Sequence, residues 1–431
     1  MSSIENTTWP ERFVYVCGAG GAATVNISPL LHSGRNRVQG VVIMSAVSNE
    51  RQPTPTDFSQ SIKPTKRLKE FCTQVLNLDG SLIKVITKNS DSLRDWQDVL
   101  DEASNLAEEL DAEIVFNVTG GRKPATLGAL LGYRPLNPQS PRLSLISIGH
   151  APFQARLIRI TKDGDIQENL LPIEDRLRIG SYLHSYGVTE LAPESRLVFE
   201  SFLVDSIPAT KAIGQIAYSE NGGKKFSVLY QSLIRSDKAA REGREFRPYS
   251  VTLPRPFLKP ASRLSGVEIQ SDDYVKVETE IAHDFLLGKW LEASIFNKAI
   301  EVFEGYNDVE IAAGLRLGMM SNRKSKPDVT EFDLAILAEE RLDLVEAKAT
   351  FGKAGRTKLH GSIDKLAKYR NQLSGQSGKA WLIAPLLSFE DLAAIDAIDH
   401  ANNEGVRLIW GANAVKKFGN ELMASYGIKD R

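Results

Sequence analysis

Cysteine is almost missing from this chain. Of 431 residues only Cys17 and Cys72 are cysteines, which excludes a disulfide framework and a cysteine zinc site. The six histidines are scattered, with no H-x-x-x-H or H-E-x-x-H pairing. No apolar run reaches the ~18 residues that a membrane helix needs. Residues 1–12 are polar and acidic, without the apolar core of a secretion signal, so a cytoplasmic location is expected. An excess of one charge is missing too: 53 Lys and Arg face 54 Asp and Glu, a net charge of −1. Bulk charge therefore gives no argument for a nucleic-acid partner, and any basic surface must be local. Arg323, Lys324 and Lys326, then Lys353, Arg356 and Lys358, are the clusters available for one. No G-x-x-x-x-G-K-[ST] is present, which excludes a P-loop. Internal repeats and low-complexity segments are absent as well.

What is there is enough sequence for two to three domains and one informative stretch near the C-terminus. Glu331-Phe332-Asp333-Leu334-Ala335-Ile336-Leu337 and Leu342-Asp343-Leu344-Val345-Glu346-Ala347-Lys348 read as two apolar strands joined by the charged turn 338–341. Side chains two apart on a strand share a face, so Glu346 and Lys348 emerge together, and a hairpin brings Asp333 beside them. Two carboxylates and an ammonium at one point suit a divalent cation next to a water and a scissile phosphate. The acids are hard oxygen ligands for Mg²⁺ or Mn²⁺, a bound metal activates water, and the lysine faces developing negative charge. An exposed hairpin with a salt bridge on its polar face is the plain alternative. Against it stands the apolar run around Glu346 and Lys348, because burying such a pair is costly. Upstream, 281–303 has helical spacing with Glu292 on or beside the buried face, an acid that needs a partner. Downstream, 362–373 reads as a helix with Lys365, Lys368, Tyr369 and Gln372 near one side, followed by the apolar strand 380–384.

The N-terminal half alternates strands and helices. Strands are expected at 13–17, 40–44, 82–86, 113–117 and 143–148, and helices at 65–76 and 93–110. That alternation implies a parallel sheet covered on both faces, whose ligands bind beyond the carboxyl ends of the strands. Two glycine-bearing loops fall there, Gly18-Ala19-Gly20-Gly21 and Val118-Thr119-Gly120-Gly121-Arg122-Lys123. In the second, Pro124 opens a helix whose N-terminus attracts phosphate. A nicotinamide site is disfavoured: Ala23 stands at the last glycine of the fingerprint, and 44–48 ends the second strand without the acid that grips a ribose.

The segment 273–384 resembles the PD-(D/E)xK nuclease superfamily. The resemblance implies that Glu292, Asp333, Glu346 and Lys348 are catalytic and that Glu292, Asp333 and Glu346 hold Mg²⁺ or Mn²⁺. Asp328, within a literal Pro327-Asp328, and Glu331 are fallbacks for Asp333, and Gln372 would be the polar residue of the following helix. The segment 117–126 resembles the signature of CARF domains, the Rossmann-like sensors of CRISPR systems, with Arg122 where the family usually has threonine. Residues 179–187 look like the Y-L-x-x-Y-G stretch that follows the sensor in CARF–nuclease fusions. The combined resemblance is to the ancillary nucleases of type III CRISPR antiviral defence. It implies an α/β chain with a Rossmann-like CARF domain at 1–170 and a restriction-endonuclease-like domain at 269–431. The implied activator is a cyclic oligoadenylate, cyclic tetra-adenylate above all, bound across a homodimer. Asn117, Thr119, Gly120, Gly121, Arg122 and Lys123, with Gly20, Ser45 and Thr65, are the ligand-contacting residues it implies. Residues 171–268 are expected to be a connector, with a helix at 193–204 and a linker-like Leu253-Pro254-Arg255-Pro256-Phe257. The alternative function is a non-catalytic CARF-type regulator that binds nucleic acid, or a sink for the cyclic ligand. Degradation of that ligand by the sensor, through Thr119 or Lys123, is a third. RNA, single-stranded DNA and duplex DNA all suit the same metal chemistry.

Overall fold

The structure, a computed structural model, describes residues 9–19, 24–47, 63–89, 93–119, 143–150, 153–160, 166–171, 177–219, 221–240, 246–306, 309–319, 328–338, 341–349, 353–373, 378–387 and 392–428. The chain divides into two compact units, residues 1–189 with 319–326, and residues 190–318 with 327–431. The boundary falls within the stretch expected as a connector. No described helix is long and apolar enough to cross a membrane.

The first unit is built on seven strands: β1 (Phe13–Ala19), β2 (Val38–Val47), β3 (Ile83–Asn89), β4 (Glu113–Asn117), β5 (Leu143–His150), β6 (Phe153–Ile160) and β7 (Ile166–Leu171), in the order β3-β2-β1-β4-β5-β6-β7. The first five run parallel, as the alternation of strands and helices requires. β6 and β7, which were not among the expected strands, then add an antiparallel edge. The period of two sorts β1 cleanly. Phe13, Tyr15 and Cys17 join one core with Leu68 and Phe71, while Val14 and Val16 join another with Trp96 and Val99. Both faces of the sheet are therefore dry, so its central strands are apolar throughout.

The second unit holds a small antiparallel sheet of β9 (Tyr249–Thr252), β10 (Val267–Ile269) and β11 (Tyr274–Val277), in the order β10-β11-β9. Its large sheet contains β12 (Val309–Met319), β13 (Asp328–Ala338), β14 (Arg341–Ala347), β15 (Ala380–Ala384) and β16 (Arg407–Trp410), laid side by side in chain order, with the short β8 (Val188–Glu190) beyond β12. The expected hairpin is present: β13 and β14 pair antiparallel from Leu334↔Val345 to Ala338↔Arg341. β14, β15 and β16 then run parallel, joined by the helices Lys353–Leu373 and Leu392–Asn403.

The 281–303 helix is interrupted. Thr279 caps a first turn through its hydroxyl, which accepts from the Ala282 amide at 3.3 Å. A π-turn, Phe285–Lys289, follows, with Gly288 extended, and a regular helix resumes at Trp290–Val302. Such π-turns mark places where a helix is re-aimed. The linker-like proline segment also differs from expectation. Leu253 is buried, and Arg255–Ala261 is a short helix with Pro256 in its first turn, where proline costs no hydrogen bond. Phe257 is fully buried and packs edge-on against Phe226 at 5.0 Å, while Phe226 in turn meets Trp290 at 5.0 Å. Phe257 belongs to one core whose buried apolar residues are drawn from as far apart in sequence as Leu203 and Leu422. Replacing Phe257 with alanine is accordingly expected to cost about 3–5 kcal/mol in a chemical-denaturation experiment. A change near zero is what a linker residue would give.

Candidate metal-dependent active site

Asp333 is the sixth residue of β13, and Glu346 is next to last in β14. Antiparallel pairing brings them together, and Lys348 follows two residues after Glu346. Glu346 is 2% exposed and Asp333 8%. The Oδ2 of Asp333 accepts a hydrogen bond from the Ala347 amide at 2.6 Å, so the carboxylate is fixed by the neighbouring backbone. Lys348 Nζ bridges the acids, donating to Glu346 Oε2 at 2.7 Å and to Asp333 Oδ2 at 3.4 Å. It also donates to the Ala347 carbonyl at 3.2 Å.

A second lysine completes the arrangement. Lys365, in the Lys353–Leu373 helix, pairs with the other oxygen of Glu346, Oε1. Its ammonium also donates to the Glu331 carbonyl at 2.5 Å and sits 4.8 Å over the Phe332 ring. Sequence reasoning placed Lys365 on one side of this helix without giving it a role, and gave Gln372 the position instead. Gln372 is exposed, about two turns further on. Helical periodicity orders a face; it does not say which residue of that face the sheet meets. Of the fallbacks, Glu331 is exposed and leans toward Arg316 at 3.7 Å, and Asp328 begins β13.

Glu292 enters from the re-aimed helix, among buried Trp290, Leu291, Ala293 and Ile295. Its Oε2 is buried without a hydrogen-bond partner. Burial holds its pKa well above the usual carboxylate range, and the charge of Asp333 adds to this; Lys289 and Lys348 pull the other way. Glu346 is raised for the same two reasons, against the opposing pull of Lys348 and Lys365. For Lys348, burial favours the neutral amine, but Asp333 and Glu346 outweigh burial and hold its pKa above normal. Lys348 is thus a fixed ammonium in this arrangement, and not a free base.

These acids fit a divalent cation. The charge of Asp333 raises the proton affinity of both Glu292 and Glu346, and the buried Oε2 of Glu292 lacks a hydrogen-bond partner. A hard cation relieves both strains. Among the described residues no three such side chains are already closed round one point. Lys348 spans the gap between Asp333 and Glu346.

In the first unit, Asn117 ends β4 fully buried. Its amide donates to Tyr15 Oη at 2.8 Å and to Asn26 Oδ1 at 3.1 Å, and its Oδ1 accepts from the Thr119 amide at 2.9 Å. Asn26 in turn donates to the Gly18 carbonyl at 2.9 Å. Asn117 thereby ties β1 to β4 and holds the backbone at Thr119, just after β4. Tyr15 and Asn26 are partners that the sequence did not single out, although an asparagine inside an apolar helix was a signal. Ser45 is buried at the end of β2, in register with Ala19 and Thr87, and Thr65 is buried in the Lys63–Gln74 helix. Gly20, Gly120, Gly121, Arg122 and Lys123 lie outside the described residues.

Two solved structures share this organisation over nearly the whole chain. Protein VC1899 from Vibrio cholerae superposes with a TM-score of 0.66 at 15% identity, covering 96% of this chain and 98% of that one. Can2 from Sulfobacillus thermosulfidooxidans, in complex with cyclic tetra-adenylate, superposes with a TM-score of 0.56 at 16% identity, covering 96% and 99%. The chain shares their fold. It has the α/β architecture expected from the sequence, with a largely parallel seven-stranded sheet in the first unit and a six-stranded mixed sheet flanked by helices in the second. No family model and no curated protein sequence matches it.

The raised pKa of Glu292 has a consequence for stability. A carboxyl whose folded pKa lies above its unfolded value favours folding while protonated, and that contribution is lost as pH rises from the ordinary carboxylate range through the folded pKa. Glu292→Gln is therefore expected to raise the denaturation midpoint at neutral pH and to leave it unchanged below about pH 4, near the ordinary glutamate pKa. A loss of stability at neutral pH would contradict this.

Proposed function

We propose that the chain is a cyclic-oligoadenylate-activated, metal-dependent endonuclease of type III CRISPR antiviral defence, working as a homodimer in the cytoplasm. The observation that carries the reading is the pair of buried carboxylates Asp333 and Glu346 bridged by Lys348, with the unpartnered buried carboxyl of Glu292 feeling the charge of Asp333. A carboxylate cluster repels a polyanion unless a cation intervenes, so these acids are difficult to explain in a protein that only binds nucleic acid. Glu292, Asp333 and Glu346 would hold Mg²⁺ or Mn²⁺, which when bound supplies a Lewis acid and an activated water.

The chain's own residues do the rest. The Ala347 amide fixes Asp333, so that one ligand is oriented in advance. Lys348, kept charged by the acids, would orient the attacking water and face the negative charge on the phosphoryl oxygens as the water oxygen bonds to phosphorus and the P–O bond to the departing nucleotide breaks, its oxygen leaving with a proton as a hydroxyl. Lys365 holds the far oxygen of Glu346 and lowers the cost of keeping that buried acid ionised. The shared fold with Can2, whose structure carries cyclic tetra-adenylate, supports the activator. Asn117, Thr119, Gly120, Gly121, Arg122 and Lys123, with Gly20, Ser45 and Thr65, form the proposed sensor site. Differential affinity of the ligand for the active arrangement would shift the population toward cutting.

Labelled RNA, single-stranded DNA and supercoiled plasmid, each incubated with Mn²⁺ with and without cyclic tetra-adenylate, test this directly. Cleavage is expected only with both, and Glu346→Ala is expected to lower it by at least about 100-fold, the scale of losing a preorganised electrostatic group. Full activity in that variant would sink the reading, and ligand binding without any cleavage would favour the non-catalytic regulator.

Lys365 gives a second check. Because it lowers the raised pKa of Glu346, Lys365→Met is expected to move the acidic limb of the pH–rate profile to higher pH, and Lys365→Arg to restore much of it. An unmoved limb would exclude this role.

A further inference from the structure

A second group of donor side chains lies outside the acid cluster. His360, on the Lys353–Leu373 helix, faces His400 on the Leu392–Asn403 helix. The two imidazoles lie 4.7 Å apart between centroids with 26° between planes, and Nδ1 of one faces Nδ1 of the other. On the far side of His400, Nε2 stands 2.9 Å from Oδ1 of Asp364. Asp364 lies one turn along the helix from His360, so both occupy one helical face. His400 is one-quarter exposed and Asp364 two-thirds.

The protons decide what this arrangement can hold. Hydrogen bonding to the Asp364 carboxylate places the His400 proton on Nε2, which leaves Nδ1 a lone pair aimed at the other ring. A histidine with a carboxylate on one nitrogen and a free lone pair on the other is the arrangement in which imidazole binds metals, since the carboxylate fixes the tautomer and raises ligand basicity. His360 presents its own Nδ1 to the same point. Its Nε2 is buried without a hydrogen-bond partner, so nothing at that nitrogen prevents the ring from turning. Two metal–nitrogen bonds of ~2.0–2.1 Å need only a small parting of the rings. Solvent reaches the site past His400 and can complete the shell.

We propose that His360 and His400 bind one divalent transition-metal ion of the imidazole-preferring class, Zn²⁺ foremost, with Asp364 as the carboxylate behind His400. The ion clips together two helices that flank the large sheet, one of which delivers Lys365 to Glu346. The donor set differs in kind from the all-oxygen acid cluster, and the proposal stands whether or not the chain cuts nucleic acid.

The test is calorimetric titration of Zn²⁺ into the chelator-treated full chain, with excess Mg²⁺ to occupy the oxygen donors. Wild type is expected to bind one Zn²⁺ and Glu346→Gln to bind it equally well. His400→Ala and His360→Ala are expected to bind it at least about tenfold more weakly, and Asp364→Asn about 10- to 100-fold more weakly, the usual cost of losing such a carboxylate. Asp364 is exposed enough that its substitution leaves folding intact, and Co²⁺ in wild type is expected to show the visible absorption of nitrogen ligation. No Zn²⁺ uptake by wild type overturns the proposal and leaves the pair as a ring-to-ring hydrogen bond. Uptake that His400→Ala and Asp364→Asn leave unaltered overturns it equally.

Discussion

A buried carboxylate between two ammonium groups organises the second half of this molecule. Glu346 sits on a central strand with almost no access to water, and desolvating a charge there costs several kcal/mol unless partners answer it. Lys348 answers one oxygen and Lys365 the other. Each comes from a different element, so the hairpin β13–β14 and the Lys353–Leu373 helix are both fixed by this single acid. Asp333 is drawn in through the Ala347 amide and the same Lys348. A protein with no use for such a cluster would do better with apolar residues in these places. Its retention inside an otherwise dry sheet is what turns a structural description into a chemical one.

The charge count of the cluster also explains its electrostatics. Asp333 and Glu346 share Lys348, Lys365 holds the other oxygen of Glu346, and the buried Oε2 of Glu292 has no hydrogen-bond partner. The cluster thus keeps an affinity for positive charge that its own lysines do not exhaust. In the first unit the same logic appears in neutral form. Asn117 is buried and spends its amide on Tyr15 and Asn26, so that the turn after β4 is held by hydrogen bonds, not by packing alone. One unit uses buried polarity to hold the end of a strand, the other to concentrate charge.

Much of this was legible in the sequence because it is local. The alternation of apolar residues in β13 and β14, the short turn between them and the i,i+2 spacing of Glu346 and Lys348 determine the hairpin and the shared face. Asp333 was separable from Asp328 because it begins the apolar run. The parallel order of β1 to β5 followed from strand–helix alternation. What was not legible depends on contacts distant in sequence. Nothing in 353–373 says that Lys365, and not Gln372, meets the sheet, because that depends on how the helix rolls on β14. The π-turn before Trp290 left no pattern beyond Gly288. Leu253-Pro254-Arg255-Pro256-Phe257 reads as a linker because its prolines are visible and its burial is not; the aromatic neighbours that enclose Phe257, such as Phe226, lie elsewhere in the chain. The antiparallel β6 and β7 were missed although they had a signal: the short connections before and after β6 leave no room for the crossover that parallel neighbours need.

The central claim is that this acid cluster exists to hold a divalent cation. Binding of Mn²⁺, followed by the loss of its free-ion electron paramagnetic resonance signal on titration with protein, tests it without reference to any substrate. Wild type should take up Mn²⁺, and the Asp333→Asn/Glu346→Gln double variant, folded to the same degree, should take up none at the same concentrations. Equal uptake by the two proteins would place the cation elsewhere and remove the basis for a catalytic site at Asp333, Glu346 and Lys348.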